Sequence, residues 1–161
     1  DDVESRGLGD VYKRQRIQTV FLLLVVVLMG ATAFCPLVEI VNGSPQLSTA
    51  FHSYGIGVDF PTWGVLVFAV ASGLLAFVNI FLYKKRKLQI NIGYLTAILI
   101  VVYYITALVY MNAFLGEIDS AYNINLQFGI ILPVVALIFD LLAISRIKRD
   151  EKLVKSLDRI R

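Results

Sequence analysis

An all-α membrane protein, folded as an up-down bundle of four transmembrane helices, is the fold class this sequence predicts. Three observations predict it: a composition no soluble domain sustains, four long apolar runs, and basic residues confined to one side of the resulting topology. The 161 residues are 58% hydrophobic and 17% charged, against roughly 45–50% and 25% in soluble domains. The charges are also segregated, so lipid must act as solvent for the stretches that lack them. The length suits one domain.

The runs cover residues 17–37, 63–83, 92–112 and 126–144, each near the ~20 residues that cross a bilayer. Hydrocarbon offers a backbone no partners, so each run is expected to be a helix. No alternating pattern argues for a barrel. The two longer connections, 38–61 and 113–125, carry Glu39, Asp59, Glu117 and Asp119 but no Lys or Arg. The second and third runs are joined by KKRK (Lys84, Lys85, Arg86 and Lys87). The tail, 146–161, adds seven more basic residues. All 15 basic residues fall on one side if both termini face the cytoplasm, and the positive-inside rule then gives N-in, C-in, with both acidic loops outside. Trp63, Tyr83, Tyr94 and Tyr110 lie near run ends, as interfacial residues do.

The first run follows SRGLGDVYKRQ, residues 5–15. Back-translated without a gap, that stretch resembles the adapter and mosaic end of a transposase-based sequencing kit. Residues 1–15 are therefore read as a non-native leader and left out of fold reasoning; the natural start and a few residues are expected to be missing before Arg16. Their removal takes away three basic and four acidic groups, shifting the net charge from +3 to +4. Arg16, VFLLLVVVLMG and the ATA at 31–33 also resemble a signal peptide. The apolar run continues past them to Leu37, which favours an uncleaved helix.

Three segments resemble a known family: RIQTVFLLL at 16–24, IFLYKKRKLQI at 80–90 and KRDEKLVKSLDRIR at 148–161. It is the four-transmembrane group of Bacteroidota inner-membrane proteins without an assigned function, domain of unknown function number 4293. The resemblance covers the chain from Arg16 onward and implies a multi-pass protein of the bacterial inner membrane. It brings no catalytic residues with it.

The candidate site is read from the residues themselves. Asp140 is the only acidic residue inside a run, and an ionisable group at such depth is a functional hypothesis by default. It lies six residues, about 9 Å of helix, before Arg146. Gly129, Pro133, Ala136, Asp140 and Ala143 form a small and polar stripe on its helix. Ala69, Ser72, Gly73, Ala76 and Asn79 form another on the second, and small faces let membrane helices approach closely. The two stripes are expected to face each other, with Asn79 bonded to Asp140. On the third run Gly93, Ala97, Tyr104 and Ala107 share a face, and Tyr94 or Thr96 can reach the polar layer. Pro133 is expected to kink the fourth helix in mid-span. Helix packing and an ion or proton relay both remain open for Asp140.

His52 has no neighbours at metal-ligand spacing and reads as a solvated loop residue; Cys35 reads as an apolar filler. No nucleophile–base set and no phosphate-cradling loop is visible, so no catalytic activity, cofactor or metal is expected. The tail sets Leu153, Val154, Leu157 and Ile160 at helical spacing among basic residues, with Glu151 and Lys155 paired at i,i+4. A short amphipathic cytoplasmic helix on anionic headgroups, a solvated continuation of the fourth helix, and docking to a cytoplasmic partner all fit. Candidate headgroup or partner contacts are Lys84, Lys85, Arg86, Lys87, Arg146, Lys148, Arg149, Lys152, Lys155 and Arg159. The net charge favours lipid over nucleic acid. A non-enzymatic scaffold or accessory subunit is the leading expectation, with a small transporter or channel subunit built on Asp140 and Asn79 as the alternative.

Overall fold

The computed structural model describes residues 2–43, 48–57 and 59–160. The order of elements is α1 (Asp2–Phe34), β1 (Val38–Asn42), β2 (Ser48–His52), β3 (Gly55–Ile56), β4 (Phe60–Pro61), α2 (Trp63–Phe81), α3 (Arg86–Leu115), β5 (Tyr122–Leu126), a 3-10 turn (Phe128–Ile130) and α4 (Leu132–Ile160). Four helices are long and apolar enough to cross a membrane. Around the bundle α1 packs on α2 and α4, and α3 packs on the same two, so α2 and α4 stand on the diagonal.

The bundle is inside-out relative to a soluble one. Large apolar side chains such as Val67, Leu74, Ile98, Ile105, Val27 and Ile138 are exposed, while Ala69, Ala76, Ala136 and Ala143 are buried. Such a surface is costly in water and matched in lipid, where small residues rather than large ones let helices meet.

The expectation of a purely helical chain is corrected at one end. The two acidic connections form a single five-stranded antiparallel sheet in the order β4-β3-β2-β1-β5. Val38 pairs with Phe51 on one side and Leu126 on the other. Antiparallel partners share a face, and here Val38, Ile40, Phe51 and Ile56 are buried against the helix ends together with Tyr103. Main-chain bonds from Leu37 to Phe51 (2.7 Å) and from Gln127 to Leu37 (3.0 Å) seat the sheet on the bundle. His52, expected in a solvated loop, ends β2 half-buried and stacked on Tyr54. Residues 44–47 and 58 of the first connection lie outside the described ones.

Boundaries shift accordingly. Leu126 belongs to β5, and α4 starts only at Leu132, which makes Pro133 its second residue. There the missing N–H is one that a first turn never uses, so the expected mid-span kink has no cause. Gly129 sits in the 3-10 turn rather than on the α4 stripe. Its N–H donates to the Pro36 carbonyl at 3.0 Å. A Cβ there would run into the Pro36 carbonyl, with Cys35 O only 3.1 Å away, so the backbones approach as only glycine allows. The tail is no separate helix: α4 runs on unbroken through it.

Candidate functional site

The two polar side chains singled out above, Asn79 and Asp140, are both buried within the bundle. Asn79 is the last buried position of α2, after Ala69, Ser72 and Ala76, a 3-4-3 spacing that holds one face inward. On α4, Ala136, Asp140 and Ala143 do the same. Both polar side chains are completely buried, and neither the Asn79 amide nor either Asp140 carboxyl oxygen has a hydrogen-bond partner among the described residues.

The expected Asn79–Asp140 bond is therefore not made. α2 and α4 stand on the diagonal of the bundle, each packed on α1 and α3. The space before the Asn79 amide belongs to Gly93. A Cβ on Gly93 would stand 3.8 Å from Asn79 Nδ2 and 2.7 Å from Ile144, one turn beyond Asp140. The Asn79 carbonyl, by contrast, accepts from Leu82 N and from the Gln89 side chain, both at 3.2 Å. Thr96 is buried as expected, but its hydroxyl donates to its own helix at Ile92 O, 2.9 Å away. Tyr94 leaves the layer altogether. It is 41% exposed and bonds Lys148, whose ammonium lies 4.8 Å from the ring centroid.

The basic cluster divides into separate environments. Lys87, Lys148, Lys152 and Lys155 line a 580 Å³ crevice between the start of α3 and the extension of α4. Tyr94, Leu141, Ile144, Lys148, Arg149 and Lys152 line a neighbouring one of 440 Å³. Arg146 and Arg149 border a smaller cavity with Gln18 and Asp150. Lys84, Lys85 and Arg86 lie at the α2–α3 junction, where Lys84 reaches over Tyr83 at 6.0 Å, and Arg159 is exposed farther along α4.

Two of the tail's carboxylates, Asp150 and Glu151, are engaged within the chain. Asp150 accepts from Gln18 of α1, and Glu151 pairs with Lys155 at 3.5 Å, the expected i,i+4 pair. The side chains of Asp158 and Ile160, and all of Arg161, lie outside the described ones. Among the described residues no three of His, Cys, Asp and Glu gather to hold a metal.

Sequence reasoning missed Tyr103, which is fully buried where Tyr104 is only half so. The signal was present: Gly93, Thr96, Ile100, Tyr103 and Ala107 repeat at 3-4-3-4, and they are the buried face of α3. Gln18 and Gln89, buried at the same end as Asn79, were also missed. Polar residues at the margins of apolar runs were their only mark.

No curated protein matches the chain. Residues 14–160 match a family model that takes in all four apolar helices, the sheet and the α4 extension, and by that match the chain belongs to the family described as Domain of unknown function (DUF4293).

Proposed function

We propose that this chain is a multi-pass protein of a bacterial inner membrane, with both termini cytoplasmic, serving as a non-enzymatic scaffold or accessory subunit. The observation that carries the reading is the length of α4. Its 29 residues extend about 44 Å, against a hydrocarbon core of about 30 Å. At least about 14 Å of helix therefore lies outside the hydrocarbon, and the basic residues from Arg146 onward put it at that end. Leu153, Val154 and Leu157 are exposed there, beside Lys152 and Lys155. A helix that leaves lipid and still shows apolar side chains offers a partner both contact area and charge.

Restriction of the family to Bacteroidota, and the adapter origin of residues 5–15, belong to the same proposal. The second is supported by the unbroken frame match and by a family match that begins only at residue 14. In that reading the Arg14–Asp150 pair at 3.9 Å and the Arg16–Tyr12 contact at 4.6 Å are not native ones.

The test is affinity capture in mild detergent, comparing the chain from Arg16 with one that also lacks residues 148–161. A specific protein held by the first and lost from the second is the expected result. Capture of nothing by either would sink the scaffold reading.

One observation favours a second reading, a small transporter or channel subunit: the buried and unbonded Asn79 and Asp140. Ionisable groups at that depth commonly mark ion or proton paths. Proton uptake into proteoliposomes, followed with an entrapped pH dye, tests it. A relay through Asp140 predicts uptake by the unaltered chain that Asp140→Asn abolishes, and no uptake by the unaltered chain removes the relay.

A further inference from the structure

We propose that the groove between α3 and the basic end of α4 binds one anionic glycerophospholipid, its phosphate among Lys87, Lys148 and Lys152 and an acyl chain against Leu141 and Ile144. The inference deepens the reading just given, because it rests on the basic end lying at the inner leaflet.

The two larger crevices of that end have Lys148 and Lys152 in common. We take the two, sharing these lysines, as one groove with a chemical gradient along it. From Leu141 to Arg149 is eight residues of α4, about 12 Å of helix. Over that distance the lining passes from aliphatic to cationic, the order in which a phospholipid presents acyl chain and phosphate. A free anion would use only the upper half.

Charge within the groove is uncompensated. The one carboxylate in the lining, Glu151, is already paired with Lys155 at 3.5 Å. Asp150 of the next turn is turned away toward Gln18 of α1. Among the described residues Lys87, Lys148 and Lys152 thus have no carboxylate paired with them, and ammonium groups donate to phosphate oxygens in short charge-assisted bonds.

Position is defined too. The Tyr94 hydroxyl of α3 bonds Lys148 of α4, so one ammonium of the groove has a fixed polar neighbour across the two helices. Tyr94 is itself a lining residue at the level where the groove turns from apolar to basic. That distinguishes the groove from a diffuse basic surface, in which each lysine would sample lipid independently.

The test uses the full chain in mild detergent, with native mass spectrometry to count retained lipid and thermal unfolding as a second readout. The probes are phosphatidylglycerol, phosphatidylcholine and inorganic phosphate. The unaltered chain is expected to keep one phosphatidylglycerol per chain and to unfold several degrees higher with it. Lys148→Gln with Lys152→Gln should lower that occupancy at least tenfold while leaving the lipid-free melting temperature unchanged. Lys84→Gln with Lys85→Gln, an equal charge loss outside the groove, should keep the lipid.

Equal loss in both pairs would reduce the effect to general surface charge and overturn the proposal. So would equal retention of phosphatidylcholine, or equal stabilisation by inorganic phosphate, which would name a soluble anion instead. Both variants keep the whole α4 extension, so capture of a partner is read separately. Lipid lost with partner kept supports the groove without touching the scaffold, and lipid kept with no partner captured does the reverse.

Discussion

Asn79 and Asp140 are fully buried polar side chains without a hydrogen-bond partner among the described residues. An unsatisfied buried polar group costs about 1–3 kcal/mol, whereas an apolar group of the same shape in its place is neutral or better. Asn79→Leu is close to isosteric and removes both orphaned amide atoms. If the layer only packs helices, the variant should unfold at the same or a higher temperature. A fall equivalent to about 1 kcal/mol or more, read by thermal unfolding in detergent, would show that the amide is bonded in the working protein. The spacing of small residues made the buried faces of α2 and α4 legible in the sequence. It did not reveal that the two polar groups miss each other. That depends on which helices become neighbours, and the close approach of Ile144 to Gly93 belongs to the α3–α4 contact.

At the scale of elements, the sheet is the part of the fold that the sequence showed least. The pair at one edge, β1 with β5, joins residues about 85 positions apart, Val38 with Leu126 and Ile40 with Ile124. No local pattern announces such a pairing. Two signals were nevertheless there: the alternation of Val38 and Ile40 with Glu39, and a connection of 24 residues (38–61), longer than structureless loops in compact domains usually run. The helices were legible because a period of 3.6 is written into each run by itself.

What couples sheet to helices is a buried chain of hydroxyls. Ser53 donates its one proton to Thr32 O of α1 at 3.1 Å, so at 2.8 Å it must accept from Tyr103 of α3. Thr62, at the head of α2, closes the set by donating to Ser53 O at 2.9 Å. Removing either side of the Ser53–Tyr103 bond has unequal consequences. Tyr103→Phe leaves Ser53 still bonded to Thr32 and should cost about 0.5–1.5 kcal/mol. Ser53→Ala leaves the fully buried Tyr103 hydroxyl and the Thr32 carbonyl unanswered and should cost about 1–3 kcal/mol. Unfolding of the two variants side by side checks the order, and a larger loss in Tyr103→Phe would contradict the direction of donation.

For the whole molecule, length and charge act together. The 19 residues of α2 extend about 28 Å, close to a hydrocarbon thickness, whereas α3 and α4, at 30 and 29 residues, exceed it by roughly half. The surplus of α3 and α4 is therefore lodged at the ends. One end carries the sheet with Glu39, Glu117 and Asp119, and the other carries the α2–α3 junction and the α4 extension with their lysines and arginines. The orientation proposed above follows from such ends, because basic segments tend to stay on the cytoplasmic side during insertion. Single cysteines introduced in a Cys35→Ala background make this measurable. Ser120→Cys lies in the connection just before β5, and Ser156→Cys on the α4 extension. A membrane-impermeant maleimide added to intact cells of a bacterial host, with the outer membrane opened, should label the first and spare the second until the inner membrane is breached. The opposite pattern would place the basic end outside. It would remove at once the cytoplasmic partner and the inner-leaflet lipid, since both depend on where those lysines face.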